Sequence, residues 1–369
     1  MKIGILTFHF GNNYGGILQC YALFNYIRNL GHTVEIIDYQ PNISSNIFNR
    51  ITRKLKTIST PSQLLSIAKY GINLFIKKKI NDEQKTCLPK IFDEFRSKYL
   101  IFSPRTEQDS ISTLANRYDA VIVGSDQVWT DLYSGDSTYF LDWIPVNSQV
   151  KKIAYAACSA HSKVNCSRSR ELRKLLDDFA LITVRDIFTQ KLTKSITGQK
   201  PEIVADPTLL YDFKEFIHAK KDQEYILSYI LDDEINGGHF EALEKIKQNY
   251  GNLPVKLIYI PGKNISAKKF ADEILTDVSP EEWVNLFANA KFVYTDSFHG
   301  VMFSIKFNKP FLAYYTNPVR ASRLIDLKKR FPTLPIIQTT TEIPVNFQYE
   351  IITTGLVDGS LDLLKNIGI

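Results

Sequence analysis

Residues 292–315 read FVYTDSFHGVMFSIKFNKPFLAYY, and their pattern predicts one complete β-α-β unit. An apolar strand over residues 292–295 precedes a polar turn, a helix over residues 301–307 and a second strand over residues 310–315. Ligands of open α/β sheets bind at the carboxyl ends of the strands. The turn between the first strand and the helix is therefore a candidate site.

Polar groups converge in this turn at the start of the predicted helix. Ser297, Gly300 and the next backbone amide lie where free N–H groups and the partial positive charge of a helix attract an anion. A histidine beside an anion site is a candidate proton carrier, so His299 is predicted to be catalytic. The alternative is a capped helix whose histidine only makes hydrogen bonds.

The same alternation of strand and helix extends over both halves of the chain. Near the beginning, a strand over residues 2–10, a helix over residues 17–30 and a strand over residues 33–39 form another such unit. Further strands are predicted over residues 118–123, 153–159, 181–185, 202–205, 225–230 and 255–260, and helices over residues 239–250 and 280–290. This order predicts an α/β protein with Rossmann-like halves.

We expect two domains that face each other across a cleft. The predicted N-terminal domain spans residues 1–211 and the C-terminal domain residues 212–369, with residues 206–223 as the hinge. A helical insertion over residues 43–100 is predicted in the first domain. A short helix over residues 359–367 is expected near the end of the second.

Composition narrows the class of protein. The 369 residues are 44% hydrophobic, enough for two domain cores. The four cysteines form no CxxC pair and show no zinc-ligand spacing, so we expect no metal and a reducing cytoplasm. The apolar start resembles a first strand rather than a secretory signal. The net charge of +6 suits anionic substrates or a membrane surface.

A basic segment over residues 41–81 lies almost entirely within the predicted insertion. Residues 41–81 contain no acidic side chain and have lysine and arginine interleaved with leucine, isoleucine and phenylalanine. Such a segment can lie on anionic lipid, which makes peripheral membrane contact one interpretation. A solvated basic face is the other. Nucleic acid is not expected as a partner, because no recognised binding motif accompanies the charge.

The loop GNNYGG at residues 11–16 follows the first predicted strand. Its glycines do not have the spacing of the dinucleotide fingerprint. Asparagine and tyrosine side chains there would suit sugar hydroxyls, although a tight turn could use the same residues. The candidate sugar ligands around this loop are His9, Asn12, Asn13, Tyr14 and Gly15.

The segment GSDQVW follows another predicted strand, at residues 124–129. Asp126 could serve as a general base toward a hydroxyl, and Gln127 could bind beside it. Trp129 could stack on a sugar face. The alternative is an N-cap aspartate followed by a core tryptophan.

Arginines after predicted strands suit bidentate binding of carboxylate or phosphate. Arg185 is one such residue, and a surface ion pair with Asp186 is the alternative. Arg320 and Arg323 could complete an anion pocket or form a solvated helix start. Asp206, before a proline, is predicted to be a turn residue rather than part of a site.

Five segments together resemble the polysaccharide pyruvyl transferase family: GNNYGGILQCYAL, YDAVIVGSDQVW, TVRD, ADPTLL and TDSFHGVMFSIKFNKPF. The resemblance implies a GT-B-like fold. It also implies transfer from phosphoenolpyruvate onto sugar hydroxyls, with no cofactor besides this co-substrate. The product would be a cyclic pyruvate ketal. The acceptor would be a saccharide for a cell-surface polysaccharide, and the family leaves a lipid-linked acceptor open.

One departure from the family pattern concerns the donor. Many members have Arg-Leu-His-Gly where this chain has Ser297 to Gly300, so the histidine and glycine carry over and the arginine does not. The resemblance then assigns the catalytic roles to His299 and Asp126. The implied donor ligands are Ser297, Gly300, Arg185, Arg320 and Arg323. The sugar ligands proposed above, with Gln127 and Trp129, would bind the acceptor.

Two other functions fit the same segments. A glycosyltransferase using a nucleotide sugar would share the fold, although the C-terminal half shows no obvious glutamate for the ribose. A carbohydrate-binding protein without catalysis would keep the fold and show no turnover.

Overall fold

The computed structural model describes residues 1–40, 86–129, 137–146, 148–159, 168–218, 223–231, 234–263, 265–318, 321–345 and 347. Most of the predicted insertion, the predicted helix at residues 359–367 and Arg320 lie outside these ranges. The membrane-contact prediction for residues 41–81 therefore stays a prediction.

The first half of the chain forms a parallel six-stranded sheet in the order β2-β1-β3-β4-β5-β6. Its strands are β1 (Lys2–Leu6), β2 (Thr33–Ile36), β3 (Ala120–Val123), β4 (Lys151–Ala157), β5 (Leu181–Val184) and β6 (Glu202–Ile203). Its helices are α1 (Tyr14–Asn29), α2 (Leu88–Tyr99), α3 (Ser169–Leu176) and α4 (Ile187–Thr197). The central strand β3 is buried along its whole length, as expected for a sheet covered on both faces.

The second half forms another parallel six-stranded sheet, in the order β12-β11-β10-β7-β8-β9. Its strands are β7 (Ile226–Tyr229), β8 (Val255–Ile258), β9 (Glu273–Leu275), β10 (Phe292–Thr295), β11 (Phe311–Tyr314) and β12 (Ile336–Ile337). Its helices are α5 (His239–Tyr250), α6 (Pro280–Asn289), α7 (Phe298–Lys306) and α8 (Ser322–Arg330). The sequence did not predict β9 or β12, because strands of two or three residues show no periodicity. It offered α8 only as an alternative, the solvated helix start at Arg320 and Arg323.

In each sheet the order of the strands reverses direction at one point, and the loops predicted to bind ligands lie at these two points. The reversal lies between β1 and β3 in the first sheet and between β7 and β10 in the second. Crevices at such points are where α/β proteins bind ligands. The loop after β1 and the segment after β3 flank the first crevice, and the turn after β10 lies at the second.

A continuous apolar core joins the two sheets. One buried cluster contains Tyr14 from α1 together with Tyr229, Trp283 and Phe303 from the second half. The Tyr14 ring stacks on Trp283 with centroids 5.7 Å apart, and its hydroxyl donates to the Val278 carbonyl at 2.6 Å. Tyr14 is therefore an anchor between the halves, and its predicted contact with a sugar is wrong.

Candidate active site

A small cleft lies between the halves, with a volume of about 100 Å³. The turn after β10, the end of β11 and the start of α8 form most of its wall, and Asn13 from the facing loop completes it. Its polar lining residues are Asn13, Asp296, Ser297, His299, Tyr314, Tyr315, Thr316, Asn317 and Arg323. Two predicted donor ligands and the predicted catalytic histidine thus share one cavity.

His299 lies in the first turn of α7, directly against the facing glycine-rich loop. A Cβ atom on Gly15 would lie 2.0 Å from the imidazole Nδ1, so only glycine at that position admits the ring. His299 is 5% exposed, and no described residue makes a hydrogen bond to its buried Nε2. Gly15 was predicted to bind sugar, and the structure shows instead that it makes room for the imidazole.

Asp206 lies beside His299, although the sequence predicted only a turn there. The His299 Nε2 is 3.7 Å from the Asp206 Oδ2. The same oxygen accepts hydrogen bonds from Arg185 Nη1 at 2.7 Å and from Ser125 Oγ at 3.3 Å. The other carboxylate oxygen accepts from the Thr208 amide at 3.0 Å. Asp206 is thus both a turn residue and a site residue, and its place in the ADPTLL segment was the available signal.

The electrostatics of Asp206 favour a charged carboxylate. Burial opposes ionisation, yet His299 and Arg185 together hold the pKa of Asp206 well below its usual range. A buried anion beside an imidazole stabilises the protonated ring and fixes its orientation. The pair is therefore suited to carry a proton at this point of the cleft.

Asp126, in the N-terminal half, does not itself line the cleft but pairs with Arg323, which does, and it has a left-handed backbone conformation with φ of 76°. Its Oδ1 lies 3.4 Å from Arg185 Nη2 and 3.6 Å from Arg323 Nη1. Burial would raise the pKa of Asp126, but the two arginines, with His299, outweigh it and lower that pKa. A carboxylate held in this way is a weak base, so its geometry favours orienting a hydroxyl over deprotonating one.

Arg185 and Arg323, the predicted donor arginines that the structure describes, differ in how accessible they are to a ligand. Arg185 is 2% exposed and is paired with Asp126 and Asp206. The predicted alternative, a pair with Asp186, is not formed, since the Asp186 carboxylate caps α4 by accepting from the Thr189 amide at 2.8 Å. The Arg323 side chain is 24% exposed and lines the cleft. Arg323 is therefore the better placed of the two for a donor anion.

The start of α7 presents free amides, but not those predicted from the sequence. Ser297 Oγ accepts from the Gly300 amide at 3.4 Å, and the Ser297 carbonyl accepts from the Val301 amide at 3.0 Å. The amides of Phe298 and His299 precede them in the helix and have no acceptor within it. An anion at this helix start would meet the first two amides.

Gly300 has a steric role in this turn. A Cβ atom at this position would lie 2.4 Å from Thr295 Oγ1, which donates to the Tyr229 carbonyl at 2.6 Å. The glycine thus lets α7 start directly against the end of β10. Gly300 acts by close packing, because its own amide is already bonded to Ser297.

The predicted acceptor residues divide into two groups. Asn12 and Asn13 are exposed in the loop after β1, and Gln127 is half-buried beside Asp126, so all three stay candidate ligands. Asn13 also caps α1, where its Oδ1 accepts from the Gly16 amide at 3.3 Å. Their binding role remains a prediction.

His9 and Trp129 are not placed to bind a sugar. The His9 ring nitrogens lie 3.1 Å from the Thr7 carbonyl and 3.0 Å from Asp38 Oδ1, so both are engaged within the protein. Trp129 is 1% exposed, stacks on Phe140 at 5.2 Å and donates its indole N–H to the Tyr139 carbonyl. For Trp129 the core interpretation was the right one.

Within the described ranges, no three His, Cys, Asp or Glu side chains lie close enough together to hold a metal ion. Among the helices that the structure describes, none has both the length and the apolar character needed to cross a bilayer.

Comparison with known proteins agrees with this architecture. The UDP-GlcNAc 2-epimerase of Methanocaldococcus jannaschii superimposes with a TM-score of 0.50 at 14% identity, covering 100% of this chain and 99% of that one. A heptosyltransferase from E. coli gives 0.38 at 14%, covering 85% and 89%. The epimerase supports the fold alone, and the predicted two-domain α/β fold is confirmed.

Sequence comparison identifies the family. No curated protein sequence is significantly similar to the chain. The model of the family described as polysaccharide pyruvyl transferase matches residues 13–318, which include Asn13, Asp126, Arg185, Asp206 and His299. The match covers most of the chain, and the protein belongs to the polysaccharide pyruvyl transferase family.

Proposed function

We propose that this transferase moves the pyruvyl group of phosphoenolpyruvate onto two hydroxyls of a saccharide acceptor, which gives a cyclic ketal and inorganic phosphate. One observation carries the proposal. A histidine, an accessible arginine and a helix start converge in a cleft of about 100 Å³, a size that suits a small anion.

The donor would bind on the C-terminal side of the cleft. Its phosphate would meet the free amides of Phe298 and His299, where the helix carries partial positive charge. Its carboxylate would meet Arg323, whose planar guanidinium matches a carboxylate geometrically. The Ser297 hydroxyl would keep its capping bond with the Gly300 amide, so that amide would not be available to the phosphate.

Protonation begins the proposed reaction. The His299 imidazolium gives its proton to C3 of the donor, which becomes a methyl group, and C2 becomes electrophilic. The first acceptor hydroxyl adds its oxygen to C2 and releases a proton. Phosphate leaves C2 with the electrons of the C–O bond and takes up one proton. The second hydroxyl then adds its oxygen to C2 and closes the ketal, and the proton it releases returns to the imidazole of His299.

The charges around the cleft support this sequence of steps. Arg185 and Arg323 carry two positive charges, and Asp126 and Asp206 carry two negative charges. These four cancel, and Asp296 in the cleft wall offsets a protonated His299, so the attraction for an anionic donor comes from the helix start and from the Arg323 guanidinium that lines the cleft. Asp126 pairs with Arg323 of the cleft from the N-terminal half and would orient the attacking hydroxyl. Preorganised charges of this kind stabilise a transition state without rearrangement.

Calorimetry tests the donor. Phosphoenolpyruvate and a panel of nucleotide sugars would be titrated separately into the wild-type protein. We expect saturable binding of phosphoenolpyruvate, and phosphate release when an acceptor with two neighbouring hydroxyls is added. Binding of a nucleotide sugar alone would replace the proposal with glycosyl transfer. Saccharide binding without turnover on any donor would indicate a carbohydrate-binding protein.

The acceptor and its location are further proposals. We propose a polysaccharide precursor that is lipid-linked and met at the cytoplasmic face of a membrane. The support is the basic composition of residues 41–81, since about 1 kcal/mol per basic residue can come from anionic lipid. Sedimentation with vesicles of anionic and of neutral lipid, at low and high salt, tests it. Equal binding to both would remove the membrane from the proposal.

A further inference from the structure

Phe298 stands next to the catalytic histidine in sequence, and both arginines of the site lie over its ring. The guanidinium carbon of Arg185 is 4.7 Å from the ring centroid, and that of Arg323 is 5.3 Å from it. Phe298 is only 7% exposed. These distances are within the range of a cation–π interaction, which strengthens when the partners are shielded from water.

The two arginines depend on this ring to different degrees. Arg185 is already held by Asp206 at 2.7 Å, by Ser125 at 3.1 Å and by Asp126. For Arg323 the structure shows one ion pair, at 3.6 Å to Asp126, and the Phe298 face. A planar guanidinium that lies over an aromatic ring keeps its in-plane N–H groups available to a ligand.

We infer that Phe298 is a positioning residue for donor binding, because its ring holds the Arg323 guanidinium in the cleft with its N–H groups directed at the donor. The inference rests on the proposed function for the identity of the donor. It also accounts for a feature of this chain. The resemblance described above implies an arginine at the position of Ser297, and the Arg323–Phe298 pair would supply that charge from α8.

The first test needs no donor and follows the Arg323 side chain itself. In nitrogen-15 NMR spectra, the Arg323 Nε–H resonance is assigned by its loss in Arg323→Ala. We expect slow hydrogen exchange at this group in the wild type and in Phe298→Tyr. In Phe298→Leu, which keeps an apolar side chain but removes the ring, we expect exchange to be at least about fivefold faster, in line with the loss of one cation–π contact. Unchanged exchange in Phe298→Leu would overturn the inference.

The second test measures donor binding as a double-mutant cycle. We expect Phe298→Leu to weaken phosphoenolpyruvate binding about 3- to 10-fold, with kcat at saturation much less affected. In the Arg323→Ala background the same change should alter affinity by less than about twofold. Equal weakening in both backgrounds would show that Phe298 does not act through Arg323, and would overturn the inference.

A matched control separates positioning from general packing. Phe303 lies on the same helix and packs on Trp283 with centroids 4.8 Å apart, in the core between the halves. Phe303→Leu should lower thermal stability and leave Arg323 exchange at the wild-type rate. If the wild type binds no phosphoenolpyruvate, the proposed function fails, while the exchange measurement still decides the role of Phe298.

Discussion

His299 and Asp206 form a pair that links the two halves of the protein, with the imidazole Nε2 3.7 Å from the carboxylate Oδ2. The histidine belongs to α7 of the second half, and the aspartate follows β6 of the first. The 3.7 Å separation is longer than a direct hydrogen bond. A small movement of either half would close the pair or break it.

Replacing the imidazole should remove most of the catalysis. We expect His299→Ala to lower kcat by roughly 10²- to 10⁴-fold, the usual contribution of a positioned acid or base. The fold should persist, because the side chain lies at the cleft rather than inside a domain core. Phosphate release at saturating donor measures the effect, and circular dichroism checks the fold. Near-normal turnover in a folded variant would remove His299 from the proton transfer.

Neutralising the carboxylate of Asp206, the partner of His299, should slow the same proton transfer. Asp206→Asn keeps the shape and the acceptor for the Thr208 amide but loses the charge that stabilises the imidazolium. We expect kcat to fall about 10- to 100-fold, with a smaller change in donor affinity. Asp186→Asn is the matched control, since it neutralises a nearby buried helix cap that makes no contact with His299. Similar losses in both variants would point to structural damage.

The close approach of Gly15 to His299 predicts that alanine is harmful at this position and harmless at Gly11, in the same GNNYGG segment. Gly15→Ala would place a methyl group 2.0 Å from the imidazole Nδ1, so the ring must move. We expect kcat to fall more than about tenfold and stability to fall by about 1–3 kcal/mol, as for other overpacked sites. In Gly11→Ala the added methyl group would meet nothing within 4 Å, and activity should be unchanged. Equal activity of the two variants would contradict the contact.

The two arginines should differ in what their loss does. Arg185→Ala leaves Asp126 and Asp206 buried without their main cation, so we expect a loss of about 3–5 kcal/mol in the free energy of unfolding. Arg323→Ala removes a partly exposed side chain and should cost less than about 1 kcal/mol while raising the donor KM. Guanidinium unfolding and steady-state kinetics measure the two effects. A stable Arg185→Ala protein would show that the carboxylates do not need it.

A second histidine predicts how stability depends on pH. His239 is 1% exposed, its Nδ1 lies 2.9 Å from the Tyr294 hydroxyl, and its Nε2 has no hydrogen-bond partner within the described part of the chain. Burial lowers the pKa of His239 from 6.5 to about 4, although Glu234 partly opposes this. Below pH 6.5 the unfolded chain takes up a proton that the fold excludes. The stability that the buried, neutral His239 contributes is therefore complete above pH 6.5 and is lost as the pH falls toward 4.

The full effect is about 3–4 kcal/mol, from about 1.4 kcal/mol for each unit by which the pKa is lowered, and about 2 kcal/mol of it falls between pH 7 and pH 5. Unfolding free energies at pH 7 and pH 5 would be compared for the wild type and His239→Gln. We expect the variant to lose less stability between these two values. An identical loss in both proteins would assign the pH dependence to other groups.

The amino-acid sequence by itself determined the two sheets and the main loops of the site. Short and mostly apolar segments marked β3, β7, β10 and β11, because a parallel strand is covered on both faces. The turn with His299 was also predictable, since polar residues after such a strand lie at the ligand-binding edge. Both patterns depend only on residues that are neighbours in the sequence, so they can be recognised without knowing any contact between distant segments.

Contacts between distant segments were decided only by the tertiary structure. Asp206 looks like a turn residue along the chain, and its place beside His299 arises because the two halves pack through one apolar core. The same packing turns Tyr14 into a core anchor and makes Gly15 a space for the imidazole. A sequence shows which side chains are polar or small, but which of them meet depends on how the two sheets dock.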